Sequence, residues 1–571
     1  MKRILSYIKP HLATMSLGFA FKFIGTIMDL LIPWVLAHII DDVIPQEKLS
    51  LVYLWGGGML IFSAGAWITN ILANRMASKV ARESVRAMRH DLFERISYLS
   101  SNQIDRFTIP SLISRMTTDT YNIHQMIGMM QRMGVRAPIL LLGGICITLT
   151  LDPVLTLALI ITLPFMGGTV YYISRRGVPL FRKMQVAADE LVRVVRENIS
   201  GTRVVKALSK GDFEKQRFEK TNANMTRCEQ KATMNMALVK PFMNLILNFG
   251  LILVILIGAF RVNAGTSQVG KIMAFLTYFT VILNAMLSIT RVITMYSKAS
   301  ASANRITEVL NTVPDQEIML DSKTQDEDHI CFHDVSFSYN HKEDNLSHIS
   351  FSLKKGETLG IIGPTGAGKS TILALLLRFY DATEGTITIN GRDIRSYDLH
   401  SLRGRFGVVF QNDTLFEGNI EQNILLGRAF SEKEVREAAA SSQALEFIED
   451  HRDFQSEVAI KGANLSGGQK QRLLIARALL GHPEILILDD SSSALDYKTD
   501  AALRAQLRTM FRNTTTIIVA QRISSIRHAD HILVLEDGKI LGYGTHEELM
   551  RSCELYHEIS KMQMGEESDE K

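Results

Sequence analysis

The stretch that decides the fold of the second half of the chain is Thr358-Leu359-Gly360-Ile361-Ile362-Gly363-Pro364-Thr365-Gly366-Ala367-Gly368-Lys369-Ser370-Thr371. A short apolar run, Thr358–Ile362, ends in a loop of the pattern G-x-x-x-x-G-K-S, and a helix-favouring segment follows. Strand, loop and helix in that order wrap backbone N–H groups around a chain of phosphates. The glycines allow close approach of the main chain, the lysine reaches the β- and γ-oxygens, and the serine hydroxyl suits a magnesium ion. Gly363, Thr365, Gly366, Ala367, Gly368, Lys369, Ser370 and Thr371 are therefore the expected nucleotide-binding residues, on an α/β domain.

A second apolar run, Ile485-Leu486-Ile487-Leu488, ends in Asp489-Asp490. A carboxylate at the end of such a strand is placed to hold Mg²⁺, and Asp489 is the expected ligand together with Ser370. Between the two runs lies Leu465-Ser466-Gly467-Gly468-Gln469, followed by the helix-favouring KQRLLIARALL. Its turn opens a helix, so free N–H groups and the positive end of the helix dipole make another anion site. One loop already cradles the phosphates of this chain. A second clamp makes sense if it serves a nucleotide bound to another copy of such a domain.

The first three hundred residues read differently. Six segments approach or meet the length of about 20 apolar residues that spans a bilayer: Thr14–Ile40, Leu51–Asn74, Met126–Leu151, Pro153–Ile173, Pro241–Phe260 and Ile272–Thr290. The connections alternate short and long, and only the long ones are basic. Arg75, Lys79, Arg82, Arg86, Arg89, Arg95 and Arg106 in the first, and Arg175, Arg176, Arg182 and Lys183 opening the second, put both long loops in the cytosol, with both termini. Each long loop has few glycines or prolines, which predicts two helical arms joined by a turn; an arm of ~25 residues would project roughly 40 Å below the bilayer. The basic, amphipathic start, MKRILSYIKPH, lacks a small-residue cleavage site and suits a helix on the cytosolic membrane face.

Lys22 and Asp29, seven apart in the first span, share a helix face and either line a substrate path or bind neighbouring helices. Asn244, Asn248 and Asn284 are further polar groups within spans. Met126, Met129, Met130 and Met133 recur at helical spacing, as packing or as a pliable surface for apolar substrates. Lys and Arg number 63 against 59 Asp and Glu, so there is no global basic field and nucleic acid is not an expected partner. Four cysteines, Cys146, Cys228, Cys331 and Cys553, stand far apart and signal neither a disulfide framework nor a zinc site. The expected fold is multi-domain. An all-α six-helix transmembrane domain (1–305) and a linker (306–328) precede an α/β P-loop NTPase domain (329–571).

With these motifs in this order the chain resembles an ATP-binding cassette (ABC) exporter half-transporter, six spans fused to one nucleotide-binding domain, over almost its whole length. The resemblance implies ATP and Mg²⁺ as ligands, a dimeric assembly, and a multi-pass protein of the cell membrane whose cassette is cytoplasmic. It implies that Tyr339 in FSYN stacks on adenine and that Gln411 in VVFQND touches Mg²⁺ and senses the spanning domain. Leu465, Ser466, Gly467, Gly468 and Gln469 would contact the partner's ATP, as would Asp496 in Ser493-Ala494-Leu495-Asp496. Phe107–Arg115 and Ile199–Leu208 resemble the two coupling regions that push on the cassettes.

Three positions depart from the pattern. The family places Glu after the strand-end aspartate, as the base that polarises water, and here stands Asp490, one methylene shorter. The switch histidine is replaced by Gln521, which can hydrogen-bond a γ-phosphate but cannot shuttle a proton. Ile460 stands where exporters usually carry an acid facing the coupling helices. Two changes in one catalytic site point to the degenerate subunit of a heterodimer, whose intact LSGGQ completes the competent site on a partner half-transporter. The alternatives are a slowly hydrolysing homodimeric lipid or peptide exporter, or an ATP-gated regulator that does not pump; ATP-dependent vectorial transport in vesicles separates these. The substrate class expected from the resemblance is amphipathic: drugs, lipids or peptides.

Overall fold

A computed structural model describes residues 1–316, 318–319, 327–340, 343–450, 453–491 and 495–564. The chain divides into two compact units, Met1–Tyr98 with Thr108–Thr312, and Leu99–Phe107 with Val313–Lys571.

The first unit is helical throughout. Among the described residues six helices are long and apolar enough to cross a membrane: Arg3–Gln46, Leu49–Ser97, Ile109–Leu151, Pro153–Ser200, Gly211–Asn263 and Val269–Leu310. The second and fourth run unbroken far beyond an apolar window, so the basic loop sequences continue the spanning helices as the expected arms. The fourth starts where Asp152 accepts hydrogen bonds from the Val154 and Leu155 amides, with Pro153 in its first turn. Proline fits there because that N–H has no helical partner anyway. The sixth helix extends to Leu310, past the expected domain boundary at 305, and part of the expected linker, residues 317 and 320–326, lies outside the described residues.

Lys22 is buried and donates to Asn70 Oδ1 (2.8 Å) and Asn74 Oδ1 (3.3 Å) of the second helix. Of its two expected roles the structure gives it the helix-binding one. Asp29 instead pairs with Arg136 of the third helix at 2.9 Å. Within the methionine row Met126 is buried while Met130 and Met133 are exposed, so the row is part packing and part surface. All four cysteines are free.

The second unit is built on strands β1 (Ile330–Phe337), β2 (Leu346–Leu353), β3 (Thr358–Ile362), β4 (Glu384–Ile389), β5 (Arg392–Asp393), β6 (Phe406–Val409), β7 (Gly418–Asn419), β8 (Glu457–Val458), β9 (Ile485–Asp489), β10 (Thr515–Val519), β11 (His531–Glu536) and β12 (Lys539–Gly544). The main sheet has the order β12-β11-β3-β10-β9-β6, parallel except for β12. Its central strands are buried along nearly their whole length because helices and a second sheet cover both faces. That second sheet, antiparallel in the order β2-β1-β4-β5, shares one core with β3 through Ile349, Leu353, Leu359 and Ile361.

The segment grouped with the cassette unit is Leu99–Phe107, which meets the expected coupling stretch Phe107–Arg115 only at Phe107. The remainder already belongs to the third long helix, because Pro110 sits in its first turn and starts it at Ile109. The second bend, Ile199–Leu208, contains a short helix, Thr202–Ala207, and leaves Ile199, Val204 and Leu208 exposed.

Candidate functional site

The parallel sheet sets the site. β3, β10, β9 and β6 are adjacent, run in the same direction, and end level with one another: Ile361 pairs with Val519, Val519 with Asp489, and Leu488 with Val409. The residues just past those ends are the glycine-rich loop, Gln521, Asp489-Asp490 and Gln411. Four segments far apart in sequence thus meet along one sheet edge, the place where open parallel sheets bind ligands.

They enclose a cleft of about 210 Å³ lined by Thr365, Gly366, Gly368, Lys369, Ser370, Thr371, Gln411, Asp489, Asp490 and Gln521, with Asn345. Two glycines of the loop are obligatory. A Cβ on Gly363 would lie 2.1 Å from the Leu535 carbonyl oxygen, and one on Gly368, at φ +98°, would lie 2.6 Å from Leu346 Cδ2. Gly368 caps the helix Lys369–Leu376, and Lys369, Ser370 and Thr371 of its first turn line the cleft. Lys369 Nζ donates to the carbonyls of Gly363 (2.7 Å) and Pro364 (2.8 Å), which holds the ammonium inside the loop. Burial lowers its pKa, against the opposing pull of Asp489 and Asp490.

Asp489 is buried at the end of β9. Burial first, and then the adjacent Asp490 carboxylate, raise its pKa, partly offset by a hydrogen bond from Ser370, the Gln411 backbone and Lys369. A divalent cation would relieve both effects. The donors at hand, a hydroxyl, carboxylates and an amide, are the hard oxygen ligands that Mg²⁺ prefers, so Ser370, Asp489 and Gln411 fit the ion.

Asp490 takes φ +49°, a conformation side chains seldom adopt, while its amide still donates to the Val519 carbonyl at 2.9 Å. Its Oδ2 accepts from Gln521 Nε2 at 2.9 Å and from Gln411 Nε2 at 3.4 Å. Two of the three residues that depart from the family pattern are therefore bonded to each other.

Tyr339 stands at the exposed edge of the unit, its ring edge-on to Phe337 and Tyr380, its hydroxyl 3.3 Å from Thr371 Oγ1. Its amide donates to Asn345 Oδ1. Asn345, which also lines the cleft, was not foreseen; a lone asparagine in a loop carries no sequence signal.

Ser466 caps the helix Gly467–Leu479 in a reciprocal box: its hydroxyl accepts from the Gln469 amide, and Gln469 Oε1 accepts from the Ser466 amide. Leu465, Gly467 and Gly468 complete that turn, which does not line the cleft around Lys369. Asp496 caps the helix Tyr497–Met510 through the Thr499 amide, and Ser493 and Ala494 lie outside the described residues. Arg477, buried on the helix Gly467–Leu479, donates to the carbonyls of Thr414 and Asn423 and so ties that helix to the segment after Gln411. Ile460 opens a short turn with its side chain exposed.

Over its full length the chain is 34% identical to the uncharacterized ABC transporter ATP-binding protein YfiB of Bacillus subtilis, covering 100% of both. The chain belongs to the ABC transporters. Residues 15–286 match the ABC transporter transmembrane region and residues 346–493 the ABC transporter domain. An uncharacterized ABC transporter ATP-binding protein of Mycobacterium tuberculosis is 34% identical, over 98% of this chain and 97% of the relative. Among solved structures, a bacterial Atm1-family ABC exporter with ATP bound superposes with a TM-score of 0.80 at 25% identity, over 99% of each chain. Fold and family together identify an ABC exporter half-transporter: a multi-pass membrane protein with an ATPase-type cassette, of a kind that pairs with a second subunit.

Proposed function

We propose that this ABC half-transporter is the subunit with the degenerate ATP site in a heterodimeric exporter of amphipathic substrates (drugs, lipids or peptides). The observation that supports it is the bond between Gln521 and Asp490. A general base needs a free lone pair aimed at water, and Asp490 both lacks a methylene and accepts two amides on one oxygen. In this proposal the loop from Gly363 to Thr371 holds ATP, Tyr339 stacks on its adenine, and Leu465–Gln469 with Asp496 close over the ATP of the partner. Mg²⁺, when bound to Ser370, Asp489 and Gln411, supplies charge neutralisation at the phosphates. The arginine-rich arms and the cassette lie in the cytoplasm, as the positive-inside rule requires. Ile460 is exposed and uncharged.

Lys369→Ala is expected to abolish ATP binding at this chain's own loop, because the charge at the β/γ-phosphates disappears. Labelling with a photoreactive ATP analogue measures it, and unchanged labelling refutes the assignment. The heterodimer is tested by native mass spectrometry after co-expression with a homologous half-transporter encoded nearby: a one-to-one complex is expected. Homodimers alone, with brisk ATPase from this chain by itself, overturn it.

A further inference from the structure

Between the first, third and sixth spanning helices lies a cavity of about 260 Å³. Its polar wall is Asp29, Arg136, Asn284 and Ser288, and Met133 and Val281 contribute to its apolar wall. Arg136 Nη2 donates to Asp29 Oδ2 at 2.9 Å, and both side chains keep partial exposure. Further positive charge stands close by on the same helices: Arg132 is one turn before Arg136, and Lys22 is two turns before Asp29. The hydrogen bonds of Lys22 go to Asn70 and Asn74, and the Arg132 Nε bond goes to the Gly128 carbonyl. Those partners solvate the cations without neutralising them.

Charged groups inside spanning helices are costly, and they persist where they meet a ligand or a water-filled path. The third helix is also irregular here. It takes a π-type turn over Met130–Gly134, just before Arg136, as it also does over Arg115–Asp119, an irregularity that frequently accompanies functional sites. We infer that this cavity is a subsite for the anionic head of an amphiphile, a carboxylate, sulfonate or phosphate, with its apolar body against the methionine side. Arg136 is the residue that selects the charge, and Asp29 competes with the ligand for it. This rests on the proposal that the chain exports amphiphiles, and it names the class.

The test is equilibrium binding of two matched fluorescent probes, a dodecyl sulfonate and a dodecyl trimethylammonium, to the full-length transporter in nanodiscs of zwitterionic lipid without ATP. Wild type is expected to bind the sulfonate at least about tenfold more tightly, the worth of one charge-assisted contact. Arg136→Gln is expected to erase that preference, Arg136→Lys to restore part of it, and Asp29→Asn to strengthen sulfonate binding. A purely structural ion pair predicts instead that Arg136→Gln and Asp29→Asn weaken both probes alike, and that result overturns the inference, as does equal affinity of wild type for the two probes. Adding anionic lipid to the nanodiscs separates the sources. Competition with the sulfonate marks a lipid headgroup as the occupant, and its absence marks a mobile substrate; both are anionic amphiphiles. Because binding is read without hydrolysis, equal affinity of wild type for the two probes beside intact transport overturns this subsite alone.

Discussion

Ser466→Arg is expected to remove nearly all steady-state ATPase of the assembled transporter, whereas Asp490→Asn changes it only slightly. Under the proposed function the first substitution acts on a partner's site. Ser466 holds the first turn of its helix by exchanging hydrogen bonds with Gln469, so an arginine loses the cap and also fills the space above the turn where a phosphate would sit. Removing a cap costs about 1 kcal/mol, too little to unfold the cassette, so the loss of activity reads as loss of the clamp. The second substitution acts on a carboxylate whose Oδ2 already accepts from Gln521 and Gln411. An amide in its place keeps the size of the side chain and gives up a basicity that, under the proposed degenerate role, the site hardly uses. The check is ATP turnover of both variants at saturating ATP, with photolabelling to confirm that nucleotide still binds. Equal damage from the two makes this chain's own site the catalytic one.

What the sequence carried, and what it did not, follows from which interactions are local. The strand Thr358–Ile362, the loop after it and the cap at Ser466 are short-range features, and each appears where its residues imply. The six spans are set by length and apolarity, and they too were legible. The adjacency of β3, β10, β9 and β6 was not, because strand order in a parallel sheet is decided by crossovers that leave no periodic trace. Hence Gln521 and Asp490 were each recognisable as departures, while the bond between them needed the sheet to bring positions 31 residues apart to 2.9 Å. Lys22 and Asp29 make the same point inside the membrane. Their spacing allowed a shared face, and the choice of partner, amides for one and Arg136 for the other, was made by neighbouring helices.

Restoring both departures in one chain, Asp490→Glu with Gln521→His, is expected to raise ATPase of the chain expressed alone by on the order of ten- to a hundredfold, since a misplacement of about 1 Å in a catalytic group can cost a hundredfold. The two changes need each other. Gln521 now donates to Asp490, so glutamate alone would place a longer carboxylate against the same amide and still share its lone pair. Histidine alone would face a carboxylate too short to orient water. Together they separate the roles, a glutamate reaching the water and an imidazole reaching the γ-phosphate, with the second amide donor, Gln411, 3.4 Å away at the native position. Single-turnover measurements of both single variants and the double variant give a double-mutant cycle, and the coupling is expected to be positive. If the double variant is no faster than wild type, the slowness of this site does not lie at positions 490 and 521, and the degenerate assignment falls with it.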